Sequence, residues 1–172
     1  MRIDSSGRLL LGTTTAGAGD ADDLTIATSG DSGITVRSGA SSFGNLFFAD
    51  STTGDGRLSG FIQYVHSDNS LKIGTASTER LRIDSSGNVG IGTSSADSNL
   101  VVKGSSGDVE FKLLTHNGVS QSRILFADNT AVDGVITYDH NDRKLLIGAG
   151  TSTPTDGDLT IDSSGRVGIG TS

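Results

Sequence analysis

One short motif recurs three times along the chain and constrains its fold more than any other feature. The fullest copy runs from Leu81 to Thr93 and reads LRIDSSGNVGIGT. A shorter copy begins at Arg2, and a third begins at Ile161 and reads IDSSGRVGIGT. Successive copies lie about 80 residues apart. A fixed repeat of this length is typical of an array of similar structural units.

A second pair of segments repeats between the copies of this motif. The stretch 60–74, GFIQYVHSDNSLKIG, returns at 134–148 as GVITYDHNDRKLLIG. We therefore divide the chain into an opening hairpin at residues 1–14, a first repeat unit at 15–95 and a second at 96–172. Since the chain stops as the third motif ends, we expect it to be a piece of a longer protein.

The composition excludes several classes of protein. Only 33% of the residues are hydrophobic, and six Phe and two Tyr are the only aromatic residues, so a large compact core is not expected. The 13 basic and 20 acidic residues are interspersed, which argues against a nucleic-acid partner. No cysteine is present, so neither a disulfide nor a thiolate metal site is expected. No stretch approaches the ~20 apolar residues of a membrane span, so we expect no membrane insertion.

Alternation of apolar and polar residues dominates the chain, which predicts short strands with one buried face. Clusters of Asp, Ser, Asn and Gly between the alternating segments predict tight turns. No window has helical periodicity with caps, so we predict an all-β fold, a string of hairpins with almost no helix. The predicted strands carry Leu24 and Ile26, Ile34 and Val36, Ile62, Tyr64 and His66, Leu71 and Ile73, Leu81 and Ile83, Val89 and Ile91, and Leu100 and Val102.

The glycines of Val89-Gly-Ile-Gly92 indicate that another backbone approaches this strand closely, because glycine otherwise weakens a strand. A lone hairpin would leave its apolar residues partly exposed to water. We therefore predict a symmetric oligomer whose core is shared between chains, with the glycines allowing close interchain approach. The shared-core residues are predicted to be Ile3, Ile83, Val89, Ile91, Ile161, Val167 and Ile169.

The run Tyr64-x-His66-x-Asp68-Asn69-x-Leu71, followed by Glu79 to Thr93, resembles the repeats of tail fibre proteins of tailed bacteriophages, notably marine and cyanobacterial phages. The resemblance implies an elongated homotrimeric fibre, with intertwined or side-by-side strands around a threefold axis. It also implies a non-enzymatic shaft or receptor-binding segment of the virion that supports host attachment. Such repeats often precede a self-cleaving intramolecular chaperone domain, which this sequence lacks, as it lacks an obvious virion-attachment segment.

His66 and His140 occupy equivalent positions in the two repeats. Three symmetry-related copies of either residue near a threefold axis could bind Zn²⁺ or Fe²⁺. The favoured interpretation is structural: Tyr and His share a strand face and bond across the ladder. His116 is predicted to lie in a loop.

Other candidate chemistry has weaker support. The acidic loop 19–23, with Asp55, Asp156 and Asp158, could offer oxygen ligands to Ca²⁺, but its spacing does not match an EF-hand. Asp50 and Asp128 could serve as glycosidase carboxylates, although a turn-capping role fits them better. Neither a nucleophile elbow nor a nucleotide-binding glycine loop is present, so we expect no enzymatic activity and no cofactor.

Three alternatives to a fibre shaft remain open. A glycan-binding adhesive module would contact host surface polysaccharide through the loops 40–44 and 115–119. A tailspike would degrade polysaccharide. A self-assembling extracellular or cell-surface filament of a prokaryote would use the same repeats end to end.

Overall fold

A computed structural model describes residues 1–116, 118–149 and 158–170. The chain divides into two compact units, Met1–Val109 and Glu110–Ser172. The described residues form fourteen strands in three sheets, with one 3-10 turn at Gly54–Leu58. No α-helix occurs in them, which confirms the predicted all-β class.

The first sheet has three short strands in the order β1-β2-β3. Strands β1 (Arg2–Ile3) and β2 (Leu9–Leu11) form the first copy of the hairpin, and β3 (Leu24–Ile26) pairs with β2 in parallel. Leu10, at the centre of β2, is 1% exposed.

The second sheet has six strands that follow one another in chain order. All neighbouring pairs are antiparallel except the last, in which β9 runs parallel to β8. Its strands are β4 (Phe43–Phe48), β5 (Gly60–Val65), β6 (Ser70–Thr75), β7 (Thr78–Ile83), β8 (Val89–Ile91) and β9 (Leu100–Val102).

The third sheet repeats this arrangement with five antiparallel strands, again in chain order. Its strands are β10 (Gln121–Ala127), β11 (Val132–Asp139), β12 (Lys144–Ala149), β13 (Leu159–Ile161) and β14 (Val167–Ile169). The repeat boundaries drawn after residues 14 and 95 fall inside sheets, because β3 joins β2 and β9 joins β8.

The Asp-Ser-Ser-Gly turn has the same structure in all three copies. In the second copy, Asp84 Oδ1 accepts hydrogen bonds from the backbone N–H groups of Ser86 and Asn88, at 2.8 and 2.9 Å. Gly87 has φ +85°, a conformation that only glycine adopts without strain. Asp4 and Asp162 make the matching pairs of bonds in the other two copies. The aspartate side chain thus fixes each hairpin turn.

One prediction about strands was wrong and another was incomplete. The segment Ile34-Thr35-Val36 alternates like a strand but pairs with none of the described strands. The sheets are also more than a string of hairpins, since β3 and β9 pair in parallel. Alternation in a sequence indicates which side chains of a segment share a face. It does not show whether another strand is free to pair with that segment, nor whether the pair is parallel or antiparallel.

Backbone atoms of the same chain explain why two positions of the motif are glycine. A Cβ at Gly90 would lie 2.5 Å from the carbonyl oxygen of Thr93, and one at Gly92 would lie 2.1 Å from that of Lys103. Backbone of the same chain therefore approaches both glycines, and the predicted approach of a neighbouring chain stays a prediction.

Candidate functional site

A continuous row of apolar side chains crosses the second sheet from edge to edge. Each residue of the row is the register partner of the next, so all of them point to the same side of the sheet. At ~4.8 Å per strand the row is roughly 24 Å long. Its members are Leu46, Ile62, Ile73, Leu81, Ile91 and Val102.

A second row lies beside the first on the same side of the sheet, two residues along each strand. It contains Gly44, Tyr64, Leu71, Ile83, Val89 and Leu100. We call the surface formed by these two rows the first apolar face.

The third sheet carries the same surface. One row contains Ile124, Ile136, Ile147, Leu159 and Ile169, and its neighbour contains Ser122, Tyr138, Leu145, Ile161 and Val167. We call these two rows the second apolar face. Because both repeats produce it, this surface follows from the repeated sequence pattern.

Both apolar faces are open in the single chain. Most of their residues are exposed, including Leu46, Ile62 and Ile73 on the first face and Ile124 and Ile147 on the second. Monomeric proteins rarely leave a contiguous apolar surface of this size uncovered, and such surfaces usually mark an interface. The faces are therefore the strongest candidate for a functional surface in the described part of the chain.

The opposite side of each large sheet has different chemistry. In the third sheet it holds the buried residues Val135, Thr137 and Leu146. In the second sheet it includes Val65 and Ser70, which are also buried. The packed core of each sheet therefore lies on the side away from its apolar face.

A charged cluster lies on the same side of the second sheet as Val65. The Arg82 guanidinium donates two hydrogen bonds to the Glu79 carboxylate, at 2.8 and 2.9 Å. It also lies 3.4 Å from Asp68, and Lys72 Nζ lies 3.6 Å from Glu79. The hydrogen bonds from Arg82 lower the pKa of Glu79 and outweigh its partial burial. These charges are paired with one another within the chain, so this side of the sheet is polar. The opposite side is therefore the better candidate for apolar association.

The residues predicted for a shared core fall on these open surfaces. Ile83, Val89 and Ile91 lie on the first apolar face, and Ile161, Val167 and Ile169 on the second. Ile3 belongs to the first sheet, where it is exposed and pairs with Leu9.

The prediction missed the residues that strands β4 to β6 and β10 to β12 contribute. Their alternation was visible in the sequence, but only the strand register places them beside the hairpin residues. They are Leu46, Ile62, Tyr64, Leu71, Ile73, Ile124, Ile136, Tyr138, Leu145 and Ile147.

The two repeat-equivalent histidines each contact a tyrosine. The rings of Tyr64 and His66, and those of Tyr138 and His140, meet edge to face with centroids 4.9 Å apart. Each histidine lies one residue past its strand, and His140 Nε2 is 3.0 Å from Ser122 Oγ. His116 lies in a bend outside the strands, as predicted. Within the described residues of one chain, no three His, Cys, Asp or Glu side chains converge on a possible metal site.

Several candidate carboxylates have structural partners. Asp22 forms a 2.6 Å ion pair with Arg8, and Asp158 accepts a hydrogen bond from the backbone of Ala149. Asp156 lies outside the described residues.

The two candidate glycosidase carboxylates also make local bonds. Asp128 accepts hydrogen bonds from the backbone and hydroxyl of Thr130 and from the backbone of Ala131, as a turn cap does. Asp50 accepts one from the hydroxyl of Ser59.

The two loops considered for glycan binding differ from the prediction. Phe43 and Gly44 lie inside strand β4, because Phe43 pairs with Val65, so the first loop is shorter than predicted. In the second loop, Asn117 lies outside the described residues.

No protein-family model matches this chain, and no curated protein matches it significantly. Among the described residues, no helix is long and apolar enough to cross a membrane. The fold and its surfaces define the class: an all-β repeat protein with an open apolar face on each large sheet.

Proposed function

We propose that this chain is a non-enzymatic structural segment of a tail fibre of a tailed bacteriophage. Three copies would assemble in parallel, with their apolar faces directed at a common axis. The observation that carries the proposal is the pair of open apolar faces, which both repeats form from the same positions. The threefold symmetry and the role in host attachment rest on the resemblance of the motif to phage tail fibres.

The energetics of burial support assembly through these faces. Full burial of a Leu or Ile side chain contributes about 1.5–3 kcal/mol, so completing the burial of a half-exposed one adds about 1 kcal/mol. Over the two faces this gain is comparable with the net stability of an average domain, about 5–15 kcal/mol. A chain of this composition would thus gain much of its stability from assembly.

The repeat also suits a shaft. Each unit contributes the same apolar surface, so that adding units extends the interface along one direction. The satisfied carboxylates Asp128 and Glu79 perform structural tasks, which favours a structural role for the segment over a catalytic one.

Electron microscopy of the purified chain tests this proposal. We expect short rods of uniform width for the natural chain and none for Ile91→Asp, which would place one charge from each copy at the same level of the axis. Compact single-chain particles in both samples would contradict it. A glycan array run on the same preparation separates a shaft, which should bind nothing, from an adhesive module.

A further inference from the structure

The two repeats differ at one turn position beside their apolar faces. In the turn between β5 and β6, Asn69 has φ +52°, and its side-chain oxygen accepts a hydrogen bond from the Tyr64 hydroxyl at 3.2 Å. Arg143 holds the equivalent position between β11 and β12, with φ +55°. Tyr138 is the counterpart of Tyr64. Since φ is nearly the same at both positions, the repeats differ here in the side chain and not in the turn.

Arg143 occupies this position at a conformational cost. Positive φ is tolerated by Gly and, among the other residues, chiefly by Asn and Asp, so Asn fits the turn better than Arg does. Strained backbone positions of this kind are concentrated where proteins bind ligands. The strain therefore indicates a role for the Arg143 side chain that Asn does not perform.

The Arg143 side chain is unpaired at an end of the sheet where neighbouring charges are paired. Asp162 forms a 2.7 Å ion pair with Arg166, and Asp142 forms a 3.5 Å pair with Lys144. Within the described part of the chain, no ion pair or hydrogen bond includes the Arg143 guanidinium. The Tyr138 hydroxyl likewise makes no hydrogen bond to a described residue. This end of the second apolar face therefore offers an unpaired cation beside an unpaired hydroxyl.

These two groups border a cleft of about 340 Å³, which lies in the size range of small-ligand sites. Tyr138, Leu145 and Ile161 line it, and they are register partners in one row of the second apolar face. Arg143 and the turn that begins at Asp162 complete the lining. Because an apolar floor lowers the local dielectric constant, a cation above it attracts an anion more strongly than a cation in open water does.

The cleft lies where three copies would meet in the proposed fibre. Its strands β11, β12 and β13 are inner strands of the third sheet, each with a neighbour on both sides. If three such sheets surround one axis with their apolar faces inward, the inner strands lie nearest the axis. Symmetry then places the three Arg143 side chains at the same level. Three unpaired cations there would oppose assembly unless an anion neutralises them.

We propose that the three clefts of the trimer together bind one tetrahedral oxyanion on the axis, of the phosphate or sulfate class. The inference rests on the proposed function, because a single chain supplies only one of the three arginines. A tetrahedral oxyanion has threefold symmetry along each of its bonds, so three of its oxygens meet one guanidinium each. Arginine binds such oxygens through paired N–H donors, and each Tyr138 hydroxyl donates a further hydrogen bond. Assembly through the second repeat thus depends on the anion.

Equilibrium dialysis with radioactive inorganic phosphate measures this site directly. We expect one phosphate per three chains for the natural full chain, in buffers of equal ionic strength set with chloride. One phosphate for every chain, or none on chains that form trimers, would overturn the shared site.

Competition with two unlabelled dianions tests the shape of the ligand. Malonate carries the same charge as sulfate but offers planar carboxylates. We expect sulfate to displace the bound phosphate at least about tenfold more effectively than malonate does, because only sulfate matches the threefold arrangement. Equal displacement would overturn the tetrahedral assignment.

The first repeat supplies a matched variant, Arg143→Asn, which copies Asn69 at nearly the same φ and should keep the turn. We expect it to bind no phosphate and to assemble equally well in chloride and in phosphate. The natural chain should need at least about tenfold less protein for half assembly in phosphate than in chloride, since a ligand that binds only the assembled state stabilises it. Arg57→Asn removes the same charge at the 3-10 turn and should behave like the natural chain. Phosphate-dependent assembly of Arg143→Asn would overturn the role of Arg143.

The mass of the same samples separates this inference from the fibre itself. Trimers that form equally in chloride and in phosphate and bind no phosphate would overturn the anion site and leave the proposed fibre intact. A natural chain that stays monomeric in both buffers would contradict the proposed fibre, and with it the shared site. Weaker assembly of Arg143→Asn in both buffers would show that Arg143 pairs with a carboxylate of a neighbouring copy, which would also overturn the anion site.

Discussion

Ile62 and Ile73 are register partners in neighbouring inner strands of the second sheet, yet 40% and 39% of their surfaces are exposed. Ile136 and Ile147 form the same pair in the third sheet. Residues at the centre of a sheet are normally covered by a second layer. Among the described residues no second layer covers either pair, and in the proposed trimer other copies of the chain would cover them.

Charge placed on an apolar face should prevent assembly. Leu46 and Asn45 are neighbours in β4 and point to opposite sides of the second sheet. We expect Leu46→Asp to reduce the mass in solution from three chains to one. Because Leu46 is already exposed in the single chain, the fold of the monomer should survive, as a surface substitution usually costs within about 0.5 kcal/mol. Light scattering and circular dichroism measure the two effects.

The control for this prediction is Asn45→Asp. It adds the same charge on the other side of the sheet and keeps the oxygen that accepts a hydrogen bond from Gln63. We expect its mass to match that of the natural chain. Loss of assembly in both variants, or in neither, would show that the apolar face is not the interface.

Acid should destabilise the chain through its three repeated turns. Hydrogen bonds lower the pKa of each turn aspartate, chiefly from the Arg8 side chain for Asp4 and from the backbone N–H of the fourth following residue for Asp84 and Asp162. A carboxyl group with a lower pKa in the folded state binds protons more weakly there than in the unfolded chain. The stabilisation is therefore present above about pH 4 and is lost as the pH falls through the lowered pKa values.

Urea unfolding at several pH values between neutral and strongly acidic measures this effect. The control carries Asp4→Asn, Asp84→Asn and Asp162→Asn together, which keeps an acceptor oxygen in each turn but removes the titration. We expect the free energy of unfolding of the control to fall less steeply in acid. An identical fall in both proteins would show that the turns do not cause the acid sensitivity.

Two glycines of the motif should differ in their tolerance of alanine. Gly87 and Gly92 both have positive φ, but only Gly92 lies against another backbone atom, the Lys103 carbonyl. Gly87→Ala should cost about 1–2 kcal/mol, the usual penalty for that conformation. Gly92→Ala adds a collision with β9, so we expect a larger loss of stability and faster amide exchange at Lys103. Equal effects would contradict the observed packing.

The sequence predicted much of the fold because its repeat and its alternation are both local patterns. The residues that lie in strands as predicted include Ile62 and Tyr64, Leu71 and Ile73, Leu81 and Ile83, and Val89 and Ile91. Asp84 and Gly87 form the predicted turn, since a side-chain acceptor and a positive φ are properties of these residue types.

What the sequence did not predict depends on contacts between distant segments. Nothing local distinguishes Leu100-Val101-Val102, which pairs in parallel with β8, from Ile34-Thr35-Val36, which pairs with no described strand. For the same reason, the predicted shared core stopped at the hairpins. The rows of apolar side chains that cross Ile62 and Ile73 depend on which residues of neighbouring strands pair. This register cannot be read from a single sequence.

The proposed trimer is tested by the mass of the natural chain in solution together with its sedimentation coefficient. We expect a mass of about three times that of the 17.5 kDa chain, with the slow sedimentation of an elongated particle. A monomer that sediments as a compact particle and keeps its apolar faces accessible to a hydrophobic dye would contradict it.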